Sequence, residues 1–151
     1  MKQWTSVDEV LDFAIGQEVD AANFYTDLAG KVQREWMKKI FLGFAEEEKG
    51  HKRKLEGVKQ GKKLLSVEKK VLDLKIGDYL VDAPAATDLD YQQALVLAMK
   101  KEKKAFMMYS QLAEMADDGE LKNLFAGLAQ EEAKHKLRFE VEYDDFVMTE
   151  N

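Results

Sequence analysis

The sequence predicts an all-α protein, a four-helix bundle of two helical hairpins joined by a long crossover. Apolar residues recur at alternating spacings of three and four through most of the chain, which is the pattern of a helix face. The single proline, Pro84, lies in the one segment that reads as irregular, residues 81–88. Shifting the chain by 84 positions aligns residues 14–56 with residues 98–140 without a gap, with 15 identities in 43. Two hairpins of similar structure are therefore expected.

Capping signals predict where the first hairpin begins and ends. Ser6 and Glu9 have the spacing of a capping box, so the first helix should run from about residue 7 to residue 30. The second helix should follow after a short link and run to about Gln60, with Gly61 as its stop.

The second hairpin and the crossover are predicted in the same way. Thr87 with Asp90 should open the third helix, and the Asp-Gly pair at 118–119 should separate it from the fourth. Residues 61–88 then carry the chain from one hairpin to the other, with a short helix near residues 67–75.

The apolar stripe of every predicted helix carries acidic or histidine residues near its middle. Because residues at these spacings share one helix face, the polar side chains should point into the core. The four stripes are Val7, Leu11, Ala14, Glu18, Ala21, Tyr25 and Leu28; Met37, Phe41, Phe44, Glu48, His51, Leu55 and Val58; Leu95, Ala98, Glu102, Ala105, Tyr109 and Leu112; and Leu121, Phe125, Leu128, Glu132, His135 and Phe139.

Six side chains on these stripes predict a site for two metal ions: Glu18, Glu48, His51, Glu102, Glu132 and His135. A buried, unpaired carboxylate is costly or takes up a proton, so four of them need cations. Two divalent ions neutralise four ionised glutamates, whereas one ion leaves them repelling each other. A glutamate and a histidine at i and i+3 lie about one turn apart on one helix face, so each such helix can offer both to a shared centre.

The donor set favours iron, with manganese as the second choice. Carboxylate and imidazole ligands suit both metals, while zinc usually takes fewer ligands and calcium avoids histidine. The chain has no cysteine, which excludes disulfides, thiolate nucleophiles and cysteine-ligated zinc or iron–sulfur centres.

Four neighbouring residues are candidates for supporting the metal ligands. Glu47 and Glu131 directly precede ligand glutamates, and each is expected to accept the free ring N–H of the histidine from the opposite hairpin. Tyr25 and Tyr109 lie two turns beyond Glu18 and Glu102 and are expected to donate to a ligating carboxylate. The alternative is that the glutamates are surface charges and the tyrosines are ordinary core residues.

Length and composition place the chain among small soluble proteins. Its 151 residues, 46% of them hydrophobic, predict a single domain over residues 1–151. A net charge of -6, with basic and acidic residues interleaved, argues against binding nucleic acid. The absence of a long uncharged run or an apolar leader predicts no membrane association and a cytoplasmic location.

A homodimer is the expected assembly. Apolar residues outside the stripes, such as Phe24, Ile40, Leu97 and Met108, are predicted to leave surface that a second copy covers. The two tryptophans, at positions 4 and 36, are expected to be packing residues.

At the candidate ligands the chain resembles the ferritin-like di-iron superfamily, and most closely its rubrerythrin-like branch. The resemblance covers about residues 5–146 and rests on four phrases. These are Glu18-x6-Tyr25, Phe44-Ala-Glu-Glu-Glu-x-x-His51, Glu102-x6-Tyr109 and Leu128-Ala-Gln-Glu-Glu-x-x-His135.

The resemblance implies a division of labour among the ligands. Glu48 and Glu132 would bridge the two metals and form the catalytic centre with them. Glu18 and His51 would complete one coordination sphere, and Glu102 and His135 would complete the other. The centre would cycle between diferrous and diferric forms while it reduces hydrogen peroxide or dioxygen.

Three positions depart from the family pattern. A cysteine-free chain has no rubredoxin domain, so an external electron donor protein is expected. Ala105 stands where rubrerythrins carry an additional carboxylate. Lys49 stands where bacterioferritins carry a haem-ligating methionine, and no fifth bundle helix is expected. Haem binding is therefore not expected.

Three functions remain open from the sequence. The first is a di-iron oxidoreductase that reduces peroxide or dioxygen. The second is a ferroxidase or iron-handling protein that releases oxidised iron, and the third is a structural bundle whose metals only hold the helices together.

Overall fold

Four long helices and one short helix form the described part of the chain. The computed structural model describes residues 4–81 and 89–150. The helices are α1 (Val7–Lys31), α2 (Glu35–Gln60), α3 (Glu68–Leu72), α4 (Tyr91–Met115) and α5 (Gly119–Glu150), with 3₁₀ turns at Leu65–Val67 and Ile76–Asp78. No strand occurs within those two ranges.

The predicted all-α architecture of two hairpins and a crossover is confirmed. α1 packs mainly against α2, and α4 mainly against α5. Each pair is joined by only a few residues, which makes the partners antiparallel. α1 and α4 each have 25 residues and begin at positions 7 and 91, and α2 and α5 begin at positions 35 and 119. The shift of 84 positions therefore holds at the start of every long helix.

The N-terminus of α1 is capped as predicted. The Ser6 hydroxyl accepts a hydrogen bond from the Glu9 backbone N–H at 3.1 Å. At the end of α2, Gly61 is the C-cap, and the following residue, Lys62, takes the left-handed conformation with φ of 51°. This turn directs the chain away from the bundle axis and into the crossover.

The predicted cap of the third bundle helix is wrong by three residues. Asp90, rather than Thr87, caps α4, because its carboxylate accepts from the Gln93 backbone N–H at 2.7 Å. The Gln93 side chain in turn accepts from the Asp90 backbone N–H at 3.0 Å, which completes a capping box. Thr87 and Pro84 lie outside the described residues.

The crossover is anchored to the bundle by apolar side chains. Its short helix is α3, which covers five residues of the predicted range 67–75. Val67, Val71 and Leu74 are buried and belong to the same apolar cluster as Leu11 of α1. The crossover therefore packs onto the first hairpin as well as joining it to the second.

Two apolar clusters fill the bundle, one toward each end, and a polar layer lies between them. One cluster includes Leu11, Leu55 and Phe125, and the other includes Leu28 and Phe139. The predicted stripes form these clusters and are buried, apart from Phe44 and Ala105, which are half-buried. The six candidate metal ligands are the stripe positions that form the polar layer.

The surface predicted for a dimer contact is not exposed. Phe24, Leu97 and Met108 are buried within the chain, and Ile40 is half-buried. α1 and α4 also contact each other, so these helices bury a second apolar strip in addition to the stripe that faces their hairpin partners. The homodimer remains a prediction, without support from these residues.

The two tryptophans differ in environment. Trp4 is buried in the core as expected, but Trp36 is 50% exposed. The guanidinium groups of Arg34 and Arg138 each lie 5.2 Å from the Trp36 ring, so cations rather than apolar side chains cover it. The prediction that Trp36 is a packing residue is wrong.

The α4 cap gives a direct test of the fold. Asp90→Ala removes the acceptor for the Gln93 N–H and should lower the free energy of unfolding by about 1 kcal/mol. Urea denaturation followed by circular dichroism measures the change. Asp90→Asn keeps a capping oxygen and serves as the control, so equal stability of the two variants would contradict the assigned cap.

Candidate metal centre

Six buried side chains form two overlapping groups of ligand atoms. Glu18, Glu48, His51 and Glu132 offer one atom each within 4.8 Å of one another, and so do Glu48, Glu102, Glu132 and His135. Glu48 and Glu132 belong to both groups. Each of the four long helices contributes, because Glu18 is on α1, Glu48 and His51 are on α2, Glu102 is on α4, and Glu132 and His135 are on α5.

The atoms that face one another are unsatisfied. His51 Nδ1 lies 3.3 Å from Glu48 Oε1, 3.3 Å from Glu132 Oε1 and 3.5 Å from Glu18 Oε2. None of these atoms has a hydrogen-bond partner among the described residues, and the same holds for His135 Nδ1 and Glu102 Oε2. Buried polar atoms without partners are rare and costly. Six oxygen or nitrogen donors of this kind, one from each candidate ligand, fit a pair of bound divalent cations.

The outer nitrogen of each imidazole is held by a glutamate of the opposite hairpin. His51 Nε2 hydrogen-bonds Glu131, and His135 Nε2 hydrogen-bonds Glu47. A carboxylate at Nε2 fixes the proton on that nitrogen and leaves Nδ1, which faces the cluster, free to bind a metal. The sequence predicted these two crossed pairs of residues.

Two tyrosines hold carboxylates, again across the hairpins. Tyr25 donates its hydroxyl hydrogen to Glu102, and Tyr109 donates to Glu18. Burial and the neighbouring carboxylates raise the pKa of both phenols well above 10.0, so both stay protonated and remain donors. Each contact takes one oxygen of a glutamate and leaves the other directed at the cluster.

Charge in the metal-free cluster is balanced by protons. Burial and the neighbouring carboxylates raise the pKa of Glu48 and of Glu132 well above 4.5. Burial lowers the pKa of His51, but the neighbouring carboxylates, above all Glu18, outweigh burial and raise that pKa to about 9. Glu102 and Glu48 likewise overcome burial at His135 and raise its pKa to about 10.

A narrow cavity reaches the carboxylates from between α1 and α4. It has a volume of about 30 Å³, close to the share of one water molecule in the liquid. Ala105 lies in the wall of this cavity, at the position where the family resemblance implies an additional carboxylate. The outer lining consists of Phe13, Gln17, Tyr79, Val81, Lys101 and Lys104.

The sequence analysis missed two features near the centre. Tyr79, from the crossover, is buried in the cavity wall and donates its hydroxyl to Gln111 of α4. The Phe44 ring stacks on the His135 ring, with centroids 4.0 Å apart and planes at 27°. Comparing the two repeats could have revealed the second feature, because Leu128 occupies the position equivalent to Phe44.

The fold and the cluster together define a ferritin-like bundle with a carboxylate and histidine centre. A sequence model of the Rubrerythrin family matches residues 9–143. The chain therefore belongs to the Rubrerythrin family, as the resemblance predicted.

Solved structures share this fold. A structure described as a ferritin-like diiron-carboxylate protein from Thermotoga maritima superposes with a TM-score of 0.77 and 19% identity, covering 95% of this chain and 98% of the other. A hypothetical protein from Pyrococcus furiosus has a TM-score of 0.70 and 28% identity, covering 93% of this chain and 89% of its own. No curated protein matches the chain significantly.

The contact between His135 and Glu47 predicts a loss of metal affinity on mutation. Glu47→Gln removes the charge that orients the imidazole and should weaken Fe²⁺ binding at one of two positions by about 10–100-fold. Anaerobic calorimetric titration measures the affinity. Glu46→Gln is the matched control, since Glu46 pairs with Lys49 on the exposed face. Equal affinities for the two variants would show that the contact does not support metal binding.

Metal binding is predicted to release protons at neutral pH. His51 and His135 are protonated there in the metal-free protein, because their pKa values are raised to about 9 and about 10. Each must lose its Nδ1 proton to bind a metal, so apparent affinity should rise as the pH increases from about 6 to about 8. A pH indicator in weak buffer counts the protons released on Co²⁺ addition. Affinity that is constant over this range would contradict the assignment of both imidazoles as ligands.

Proposed function

We propose that this protein is a non-haem di-iron oxidoreductase of rubrerythrin type, which reduces hydrogen peroxide or dioxygen with electrons from an external donor. The observation that carries the proposal is the pair of overlapping ligand groups, whose buried nitrogen and oxygen atoms lack other partners. Iron bound there supplies Lewis acidity and redox electrons. Manganese is the alternative occupant, because the same donors suit it.

Each candidate ligand has a role in this proposal. Glu48 and Glu132 would bridge the two ions, since both belong to both groups. Glu18 and His51 would complete one coordination sphere. Glu102 and His135 would complete the other.

The surrounding residues keep this set of donors in place. Glu47 and Glu131 orient the imidazoles, while Tyr25 and Tyr109 each hold one oxygen of a terminal carboxylate. Contacts that cross between the hairpins restrict the movement of either half of the site. The donors are thereby arranged before a metal binds, which lowers the cost of binding.

The cavity limits what can react. Reduction of hydrogen peroxide consumes two electrons and two protons and yields two water molecules. A cavity of about 30 Å³ admits molecules the size of water, and peroxide and dioxygen are small enough to use such a route. Ala105 leaves this volume beside Glu102, where a larger acidic side chain would reduce it.

Electrons must come from another molecule. The chain has no cysteine and therefore no cysteine-ligated iron–sulfur centre of its own. We infer that a separate redox protein reduces the metal centre after each turnover.

Stopped-flow spectroscopy tests the proposed activity. Protein loaded anaerobically with two ferrous ions per chain should be oxidised faster by peroxide than by dioxygen. The His51→Ala and His135→Ala double variant removes both imidazole ligands and should lose stoichiometric iron binding together with the fast reaction. Glu46→Gln serves as the control for a change in surface charge.

Each other outcome favours a different function. Oxidation by dioxygen at an equal or higher rate, with release of ferric iron into a large hollow assembly, would favour a ferroxidase or iron-handling protein. An unchanged optical spectrum after peroxide addition would favour a structural metal site. Light scattering and iron analysis of the product distinguish storage from turnover.

A further inference from the structure

Three residues of the second hairpin, near a series of aromatic rings that leads to His135, differ from their equivalents in the first hairpin. Tyr91 and Glu142 lie on the second hairpin, and the residues 84 positions earlier are Val7 and Val58. Phe139 likewise corresponds to Leu55. The six ligands obey the repeat, whereas at these three positions aromatic or acidic residues of the second hairpin replace aliphatic residues of the first.

Two of these residues form a pair of a tyrosine and a buried carboxylate. Glu142 is 0% exposed, and its Oε2 accepts the Tyr91 hydroxyl at 2.5 Å. The Arg34 guanidinium pairs with the same oxygen, which offsets the cost of burying the charge. Burial and the bond to Glu142 raise the pKa of the Tyr91 phenol, so the phenol keeps its proton at neutral pH.

Tyr91 also faces the exterior. It is half-buried and lines a cavity of about 570 Å³ at the end of the bundle, with Lys31, Gln33 and Phe146 among its other wall residues. Small solutes can therefore approach this phenol. Tyr25 and Tyr109, in contrast, are buried beside the metal ligands.

A series of aromatic rings connects Tyr91 with His135. Ring centroids are 6.4 Å apart between Tyr91 and Phe41, 5.7 Å between Phe41 and Phe139, and 5.6 Å between Phe139 and Phe44. Phe44 stacks on His135 at 4.0 Å. These rings therefore form a continuous series of contacts from the Tyr91 phenol to the His135 imidazole.

The other half of the centre has no such connection. Across residues 4–81 and 89–150, the ring contact found for His51 is with His135 itself, at 6.4 Å between centroids. The asymmetry gives the series a direction, from one imidazole to one accessible phenol.

We propose that Tyr91 is a redox-active tyrosine that supplies an electron to the metal centre through His135, with Glu142 as the acceptor of its proton. This inference rests on the proposed function, which supplies peroxide as the oxidant. Reduction of peroxide to water requires two electrons. When the metals can supply only one of them, Tyr91 supplies the second. The phenol loses an electron to the centre and its O–H proton to Glu142 Oε2, which leaves a neutral phenoxyl radical and a carboxylic acid. The external electron donor of the proposed function then returns the electron, and Glu142 returns the proton.

The alternative is that these residues have a purely structural role and only hold the helices together. Arg34 precedes α2, Tyr91 begins α4, and Glu142 lies on α5, so their contacts hold three elements together. A structural role requires hydrogen bonds but no transferable proton. Glu142→Gln keeps the size and an acceptor oxygen while it removes the base, and therefore separates the two readings.

The first experiment uses iron-loaded protein. Chains carrying one ferrous ion each are mixed with peroxide and frozen for electron paramagnetic resonance. We expect a tyrosyl radical signal that narrows in protein made with ring-deuterated tyrosine, is lost in Tyr91→Phe and falls severalfold in Glu142→Gln. Tyr143→Phe is the matched control and should keep the signal, because the Tyr143 hydroxyl accepts a hydrogen bond from the Gln92 amide at 3.4 Å and Tyr143 does not line the cavity at the metal ligands.

The second experiment needs no metal. Metal-free protein is oxidised with a flash-generated ruthenium(III) complex in the presence of a nitroso spin trap, and adducts are located by peptide mass spectrometry. Tyr91 adducts should fall severalfold in Glu142→Gln and stay unchanged in Tyr143→Phe. Circular dichroism checks that the variants are folded.

The outcomes separate this inference from the proposed function. A radical that persists in Tyr91→Phe, or that never forms although peroxide oxidises the iron, overturns the role of Tyr91 and leaves the oxidoreductase standing. Equal trapping at Tyr91 in the wild type and in Glu142→Gln overturns the role of Glu142. If peroxide fails to oxidise the iron but trapping depends on Glu142, the proposed function fails and the proton-accepting pair stands.

Discussion

Four carboxylates buried at one level of an apolar bundle are the constraint on which the rest of the structure depends. They divide the core into two apolar clusters. Their negative charge requires compensation, which apolar packing does not supply. In the metal-free chain, protons on the imidazoles and on the central glutamates provide it. Divalent cations would replace those protons, so folding and metal affinity are linked through the same six side chains. The polar layer is therefore the least stable part of the free protein and the part that gains most from a ligand.

Exchange of side chains between the hairpins makes each half of the site depend on both repeats. Each histidine is held by a glutamate from the other hairpin, and each terminal glutamate by a tyrosine from the other hairpin. Neither hairpin alone has a complete half-site. The crossover, anchored to α1 through Val71, keeps the two halves in reach of each other. The crossover also supplies Tyr79 to the wall of the cavity at the ligands, so it does more than join the hairpins.

The parts of the structure that follow from periodicity could be predicted, and those that depend on tertiary choice could not. The stripes placed Glu18 and Glu102 in the core because helix geometry alone decides which residues share a face. Periodicity does not show that α1 and α4 bury a second strip against each other, which is why Phe24 and Leu97 were expected at the surface. The cap of α4 was missed because two overlapping patterns, starting at Thr87 and at Asp90, both fit, and Asp90 with Gln93 satisfies both bonds of the box.

The narrow route between α1 and α4 also bears on how the protein would hold its ions over time. A polyaminocarboxylate chelator is too large for a cavity of about 30 Å³, so it does not reach the buried ligands while the helices stay packed. Extraction of an ion would then have to wait until the helices separate, so retention would be a kinetic property set by the opening rate of the bundle. The rate at which a cation is extracted would then be independent of the chelator concentration.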